Sequence, residues 1–344
     1  MPESLHIAVY ALTGQGYPLA ARIARETGGT LFATARLAQG RDVPFESLPH
    51  LVGAQFHSFG GHVFVAAAGI AVRCIAPHLQ GKDTDPAVVC LDQDGRFAVS
   101  LLSGHLGGAN ELASRCAAIT GGQAVITTAT DCAGLPSLDL LARERNMAIG
   151  NLKRVKTVNA ALLRGEAVQL YDPGGYLRTE DPKHFLLVDD PAAWRHNAPG
   201  VWISWRRDCP DQEALRLYPR VLMLGLGCRR GVSGQDISAH VRDSFRAAGL
   251  SFLSIGGLGS IVAKRHEAGL LEAAEGLGVV PKFYDADRLG AVDVPNPSPA
   301  VEQRMGVSSV AEAAAMLLAG GGPLVMEKTK TENVTLAVAR SESC

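Results

Sequence analysis

A chain of 344 residues, 47% hydrophobic and 19% charged, is too long for one ordinary core and too apolar to be disordered. Its formal net charge of −1 and sequence pI of about 6.8 leave no electrostatic footprint for nucleic acid or anionic lipid. Seven scattered cysteines (Cys74, Cys90, Cys116, Cys132, Cys209, Cys228, Cys344), with no C-x-x-C pair among them, argue against a disulfide frame or zinc ribbon and for free thiols in a reducing compartment.

The start, MPESLHIAVYALTGQG, lacks the basic region and apolar core of a signal peptide, so a cytoplasmic protein without a membrane span is expected. LHIAVYAL reads as a buried strand, TGQG as its glycine turn and YPLAARIARETG as a helix. GHVFVAAAG is a strand and IAVRCIAPHL a helix ended by the polar QGKDTDP. AVVCLD and RFAVSLL form two strands around DQDG, whose Asp-Gly step signals a hairpin. SGHLGGAN, the helix ELASRCAAIT and the strand AVITT follow.

Beyond Ala133 the texture changes. LPSLDLLARERN and KRVKTVNAALLRG look helical, and short strands broken by YDPGG, DDPAAW and NAPG run to Pro219. Trp194, Trp202 and Trp205 all lie in this stretch, where a small core explains them better than stacking on a flat ligand. From Arg220 alternation resumes with VLMLGLG as a strand, DISAHVRDSFRAAG as a helix and LSFLSIGG as a second strand. GSIVAKRHEAGLLEAAEGLG is mostly helix, VPKFYDA a third strand, SSVAEAAAMLLAGG a last helix, and two closing strands end at VTLAVAR. The fold expected is α/β: three-layer α/β domains at 1–132 and 220–344, joined by a smaller α+β middle segment at 133–219.

Two strand-loop-helix crests stand out, SGHLGGANELA at 103–113 and GLGCRRGVSGQD at 225–236. Each offers backbone N–H groups and a helix N-terminus, where anionic groups bind; the plainer reading is that the glycines only permit tight turns. A dinucleotide fingerprint is disfavoured, because G-L-G-C-R-R-G misplaces its third glycine and LSFLSIGG ends without the ribose-binding carboxylate. An NAD-dependent oxidoreductase is thereby set back. Arg229, Arg230, Lys264 and Arg265 in the last domain, with Arg73 and Lys82 in the first, are either a solvated face or a clamp for a ligand bearing several carboxylates.

His105 is the one histidine set among glycines, and imidazole serves as general acid or base near neutral pH; a hydrogen bond to a neighbouring carbonyl is the plainer role. Asn110 and Glu111 suit a helix start. Asp131 and Asp85 are carboxylates at strand ends, each a base, an orienting partner for His105 or a turn residue. There is no G-x-S-x-G elbow, no Ser-His-Asp grammar and no metal-ligand spacing.

Taken together, GIAVRCIAPHLQGKDTDPAVVCLDQDGRFAVSLLSGHLGGANELA and VITTATD, with GLGCRRG, GSIVAKRHEAGL, FYDADRL and GVSSVAEAAAMLLAGG, resemble the cobalt-precorrin 5A hydrolase family of the anaerobic cobalamin (vitamin B12) pathway. One departure is Val262, which stands where the family pattern has an acidic residue shortly before the lysine; Lys264 and Glu267 match. The resemblance implies hydrolytic opening of the ring-A δ-lactone of cobalt-precorrin-5A, release of acetaldehyde and formation of cobalt-precorrin-5B. It implies no cofactor of the protein's own, because cobalt arrives inside the substrate.

On this reading His105 is the catalytic base or acid, with Asp131 or Glu111 orienting it, and the N–H groups of Gly107 and Gly108 hold the oxyanion. The macrocycle would be held by Arg73, Lys82, Asp85, Ser103, Gly104, Asn110 and Thr128 in the first domain, and by Gly225, Gly227, Arg229, Arg230, Lys264 and Glu267 in the last. Transient contact with neighbouring cobalamin-pathway enzymes and a homodimer are compatible with it. The alternative is a non-catalytic corrinoid carrier, which needs the cationic crests but not His105.

Overall fold

The computed structural model describes residues 6–81, 84–105, 107–128, 135, 137–177, 184–297 and 309–342. Two compact units divide the chain, Met1–Leu140 and Leu141–Cys344. In the first, β1 (Ile7–Ala11) is apolar at every position because both its faces are covered. It is followed by α1 (Tyr17–Thr27), β2 (Thr30–Thr34), β3 (Val43–Phe45), α2 (Leu48–Gln55), β4 (Gly61–Val65) and α3 (Ala68–Ile75). Then come β5 (Ala87–Leu91), β6 (Phe97–Leu102), α4 (Ala109–Thr120) and β7 (Gln123–Val125).

The strands form one sheet in the order β3-β2-β1-β4-β5-β6-β7. Ile7, Val9 and Val63 pack with Ile23 of α1 and Leu112 and Cys116 of α4 on one face. Tyr10, Phe32 and Phe64 pack with Val52 of α2 and Cys74 of α3 on the other. This is a three-layer α/β arrangement.

The expected DQDG hairpin positions the site. β1 to β5 run parallel, but β6 is antiparallel to β5, pairing Leu102 with Val88 and Ala98 with Leu91. The carboxyl end of β6 therefore lies beside the amino end of β5. β7 is parallel to β6, so its carboxyl end reaches the same sheet edge. β2, β3 and α2 are not foreseen from the sequence, because their short segments carry weak periodicity.

Helix α5 (Leu138–Glu144) leads to the middle segment, where β8 (Met147–Ile149), α6 (Leu152–Leu163), β9 (Val168–Tyr171), β10 (Phe185–Leu187), β11 (Gly200–Ile203) and β12 (Leu215–Pro219) follow. Its five-stranded sheet has the order β10-β9-β11-β12-β8, parallel except for β8. Trp194 and Trp202 are buried core residues, and their indole N–H groups donate to Asp211 (3.2 Å) and Asp208 (3.1 Å). Tyr171 stacks on Trp202 with centroids 4.0 Å apart. Trp205 is half-buried beside the Arg206 and Arg340 guanidiniums, 4.3 and 5.9 Å from its ring.

The last segment contains β13 (Leu222–Cys228), α7 (Gly234–Ala247), β14 (Ile255–Ile261), α8 (Ala268–Gly276), β15 (Pro281–Tyr284), α9 (Ala286–Gly290), α10 (Val310–Leu318), β16 (Leu324–Lys330) and β17 (Val334–Arg340). The sheet order is β15-β14-β13-β17-β16, with β17 antiparallel to both neighbours. From the sequence, the second strand is expected to end at its glycines and a helix to start at GSIVAK. Instead the strand runs on to Ile261 and the helix begins at Ala268. A nearly continuous buried run carries no period that separates strand from helix.

Candidate functional site

The first glycine crest joins β6 to α4 and opens on a cleft of about 370 Å³ at the edge where β6 and β7 end. Ser100, Ser103, Gly104, His105, Asn110, Thr127, Thr128, Asp85 and Asp139 are among its lining residues. His105 Nδ1 stands 3.8 Å from Asp139 Oδ2, an ion-pair distance between side chains only 17% and 11% exposed. Asp139 lies in the first turn of α5 and accepts a hydrogen bond from Ser137 Oγ at 2.5 Å. One partner of His105 is thus a carboxylate that nothing in the sequence singles out. Asp131 and Lys82 lie outside the described residues. Glu111 is exposed in the first turn of α4 and does not line the cleft.

Asn110 is not the helix cap. That position is Gly108, in the left-handed region with φ 85°, and Asn110 is the next residue but one, its side chain turned inward. Asn110 Oδ1 accepts from Ser100 Oγ at 2.7 Å, and its Nδ2 donates to Thr128 Oγ1 at 3.0 Å. These bonds fasten the crest to the ends of both strands. Gly104 is there for closeness: a Cβ would lie 2.8 Å from Asn110 Oδ1.

Several N–H groups of the crest are already engaged. Gly108 donates to the His105 carbonyl (2.9 Å), Ala109 to the Ser103 carbonyl (3.1 Å) and Asn110 to the Gly104 carbonyl (3.0 Å). Gly108 N–H, expected as an oxyanion donor, instead closes the turn. The Asp85 carboxylate likewise accepts from Gln80 N (2.9 Å) and Gly81 N (3.2 Å), the turn role among those considered for it. Arg73 is exposed in the last turn of α3, its guanidinium donating to the Gly69 carbonyl at 3.4 Å.

In the second unit, the GLGCRRG crest follows β13, and Ser233 caps α7 by accepting from Asp236 N at 3.1 Å. Gly225 is buried within the strand, where a Cβ would fall 1.8 Å from the Ala311 carbonyl oxygen. Its missing side chain is explained by the packing of α10, not by an approaching ligand. Gly227 has open space beyond one ordinary contact with Thr335.

The crest cations are largely matched internally. Lys264, 9% exposed, donates to Glu267 Oε2 at 3.0 Å, and Gly231 N–H donates to the other oxygen, Oε1. The Gly231 N–H first, and Lys264 after it, hold the Glu267 carboxyl below the usual range. Glu267 thereby supplies the carboxylate beside the lysine, while Val262 is 38% exposed. Arg229 is exposed, with its guanidinium 3.0 Å from Glu332 Oε1. Arg230 is exposed near enough to Glu267 to favour its ionised form.

Among the described residues, no group of three or more His, Cys, Asp or Glu is placed to hold a metal ion, and no helix is long and apolar enough to cross a membrane. Cys74, Cys90, Cys116, Cys209 and Cys228 are free thiols, and burial pushes Cys116 up to about 12.

Three family models match the chain in succession. They are Cobalamin synthesis G N-terminal at residues 50–131, Cobalamin biosynthesis central region at 136–219 and Cobalamin synthesis G C-terminus at 222–339. The cobalt-precorrin-5A hydrolase of Salmonella typhimurium is 33% identical over 345 residues, covering 98% of this chain and 97% of that one. Its namesake from Priestia megaterium is 32% identical over 307 residues, with 85% and 82% covered. Protein CobE of a Sinorhizobium species is 33% identical over 121 residues, 34% of this chain and 79% of its own length. With its three segments matched in order and its identity spread over nearly the whole length, the chain belongs to the cobalt-precorrin-5A hydrolase family of cobalamin biosynthesis and is a hydrolase.

Proposed function

We propose that this hydrolase opens the ring-A δ-lactone of cobalt-precorrin-5A and releases acetaldehyde, giving cobalt-precorrin-5B, and that the chemistry takes place in the cleft of the first crest. The observation that carries the site is the His105–Asp139 pair, nearly buried at 3.8 Å in a cleft lined by hydroxyl and amide groups. Lactone hydrolysis needs a water stripped of a proton as it attacks the carbonyl carbon, and a donor to the oxygen that gains charge. His105 takes that proton as the acyl C–O bond breaks. The freed ring oxygen then forms the aldehyde C=O as the carbon–carbon bond joining its carbon to the macrocycle breaks, the electron pair passing to the macrocycle and acetaldehyde leaving. Asp139 orients the imidazole and stabilises its protonated form, the role a carboxylate plays beside a catalytic histidine. The 3.8 Å separation then shortens to a hydrogen bond in the substrate complex, as catalytic contacts commonly do.

Cobalt is part of the substrate in this scheme. In the second unit the Lys264–Glu267 pair fixes the loop that bears the exposed Arg229 and Arg230, cations suited to carboxylates. Incubating the protein with cobalt-precorrin-5A tests the reading. One equivalent of acetaldehyde should be released per substrate converted. Binding with no acetaldehyde would instead mark a carrier.

A further inference from the structure

Resting on the cleft of the first crest as the reaction site, we infer that the Ser103 hydroxyl donates the hydrogen bond that stabilises the oxyanion during hydrolysis. Ser103 lines the same cleft as His105 and Asp139. It carries two costs with no structural return. Its φ is +57°, in the left-handed region; the other non-glycine residues at positive φ among those described are Asn146 and Asn197, a residue type that tolerates this conformation. Its Oγ is also buried and has no hydrogen-bond partner.

A buried hydroxyl without a partner is destabilising, and such groups in native structures call for an explanation. Glycine at 103 would remove both costs. The fold itself needs only the backbone here, since the Ser103 carbonyl accepts from Ala109 N–H to start α4.

The neighbouring donors point the same way. The N–H groups of Gly108, Ala109 and Asn110 are bonded to carbonyls within the crest. The Ser103 O–H is a buried donor beside this cleft that no protein acceptor holds. Gly107 leaves it room: a Cβ there would come within 2.4 Å of Ser103 Cβ. Rotation about the Cα–Cβ bond breaks no hydrogen bond as it turns the hydroxyl toward a ligand oxygen. The donor is matched only when charge develops on that oxygen, so its effect falls on turnover and not on ground-state binding.

Ser103→Ala removes the hydroxyl and keeps the left-handed strain; Ser103→Gly removes both. With cobalt-precorrin-5A as substrate, both variants should lose about 10²–10³-fold in kcat with KM within threefold of the parent. Ser103→Gly should also melt higher, by about 2–8 °C. A kcat within threefold of the parent in either variant, a change confined to KM, or a Ser103→Gly that melts below the parent would each overturn the assignment. Absence of acetaldehyde from the parent itself would sink the proposed reaction and this role together. Parent turnover with undiminished variants would sink this role alone.

Discussion

The two glycine crests read alike in sequence, a buried strand, a glycine-rich loop and a helix, yet the structure uses them differently. In the first, the N–H groups of Gly108, Ala109 and Asn110 bond back onto the loop, and the cleft is lined by side chains that include His105 beside Asp139, with the buried, unpartnered Ser103 hydroxyl next to them. In the second, Gly225 serves helix packing, and Lys264 and Arg229 are matched by Glu267 and Glu332. Glycine marks a place where backbone must turn or approach closely, but it does not say whether the donors there remain available. That depends on which carbonyls the turn brings within reach.

The largest losses are expected at the first crest. His105→Asn should fold normally and still bind the corrinoid in a spectral titration, while kcat falls about 10²–10⁴-fold. Asp139→Asn, which leaves the imidazole in place but less well oriented, should lose about 10²-fold. Either variant turning over within about threefold of the parent would move the base elsewhere.

The acid side of any rate profile needs a control from the same unit. His62 is fully buried, with Nδ1 2.9 Å from Tyr10 Oη and Nε2 2.9 Å from the Phe56 carbonyl, and burial pulls its imidazole down to about 4. Between that value and the ordinary 6.5 the unfolded chain binds a proton that the folded one does not. Stability is therefore fully present above about 6.5 and is lost as pH falls toward about 4, by roughly 3 kcal/mol in all. Melting curves across that window should show the loss, and His62→Gln should flatten it. An unchanged acid dependence in His62→Gln would assign the loss to other groups.

The second crest yields the smaller effects. Gly225→Ala forces a Cβ against the Ala311 carbonyl and should destabilise by about 1–3 kcal/mol. Its kcat, measured well below the melting temperature, should stay near that of the parent. A variant as stable as the parent would show that packing does not explain this glycine. Arg229→Ala should weaken substrate binding about tenfold with little change in melting temperature, since an exposed ion pair contributes little to stability. Unaltered affinity would leave Arg229 without a ligand role.

Much of this architecture is legible in the sequence because its signals are local. The DQDG step announces the β5–β6 reversal, and apolar runs mark the strands on either side. β14 is misplaced because burial on both faces erases the alternation that separates strand from helix. His105 stands out among its glycines, but Asp139 does not. It joins the cleft only because β7 pairs parallel to β6 and returns the chain to the same edge, and locally it is one more acid in a first helical turn. Ser103 looks equally ordinary until its φ and its unpartnered hydroxyl are seen. The charges of the second crest mislead in the opposite sense, since Lys264 reads as a free cation while its partner sits three residues further along.

If hydrolysis takes place at the first crest, ring A of the substrate must be seated there. A crystal structure of the slowed His105→Asn variant with cobalt-precorrin-5A bound, its cobalt located by anomalous scattering, tests it most directly. The expected result is the ring-A lactone in the cleft between Ser103, residue 105 and Asp139, with its carbonyl carbon facing residue 105 and its carbonyl oxygen on the Ser103 side. Ring A seated instead on the GLGCRRG crest, with the first cleft empty, would contradict it.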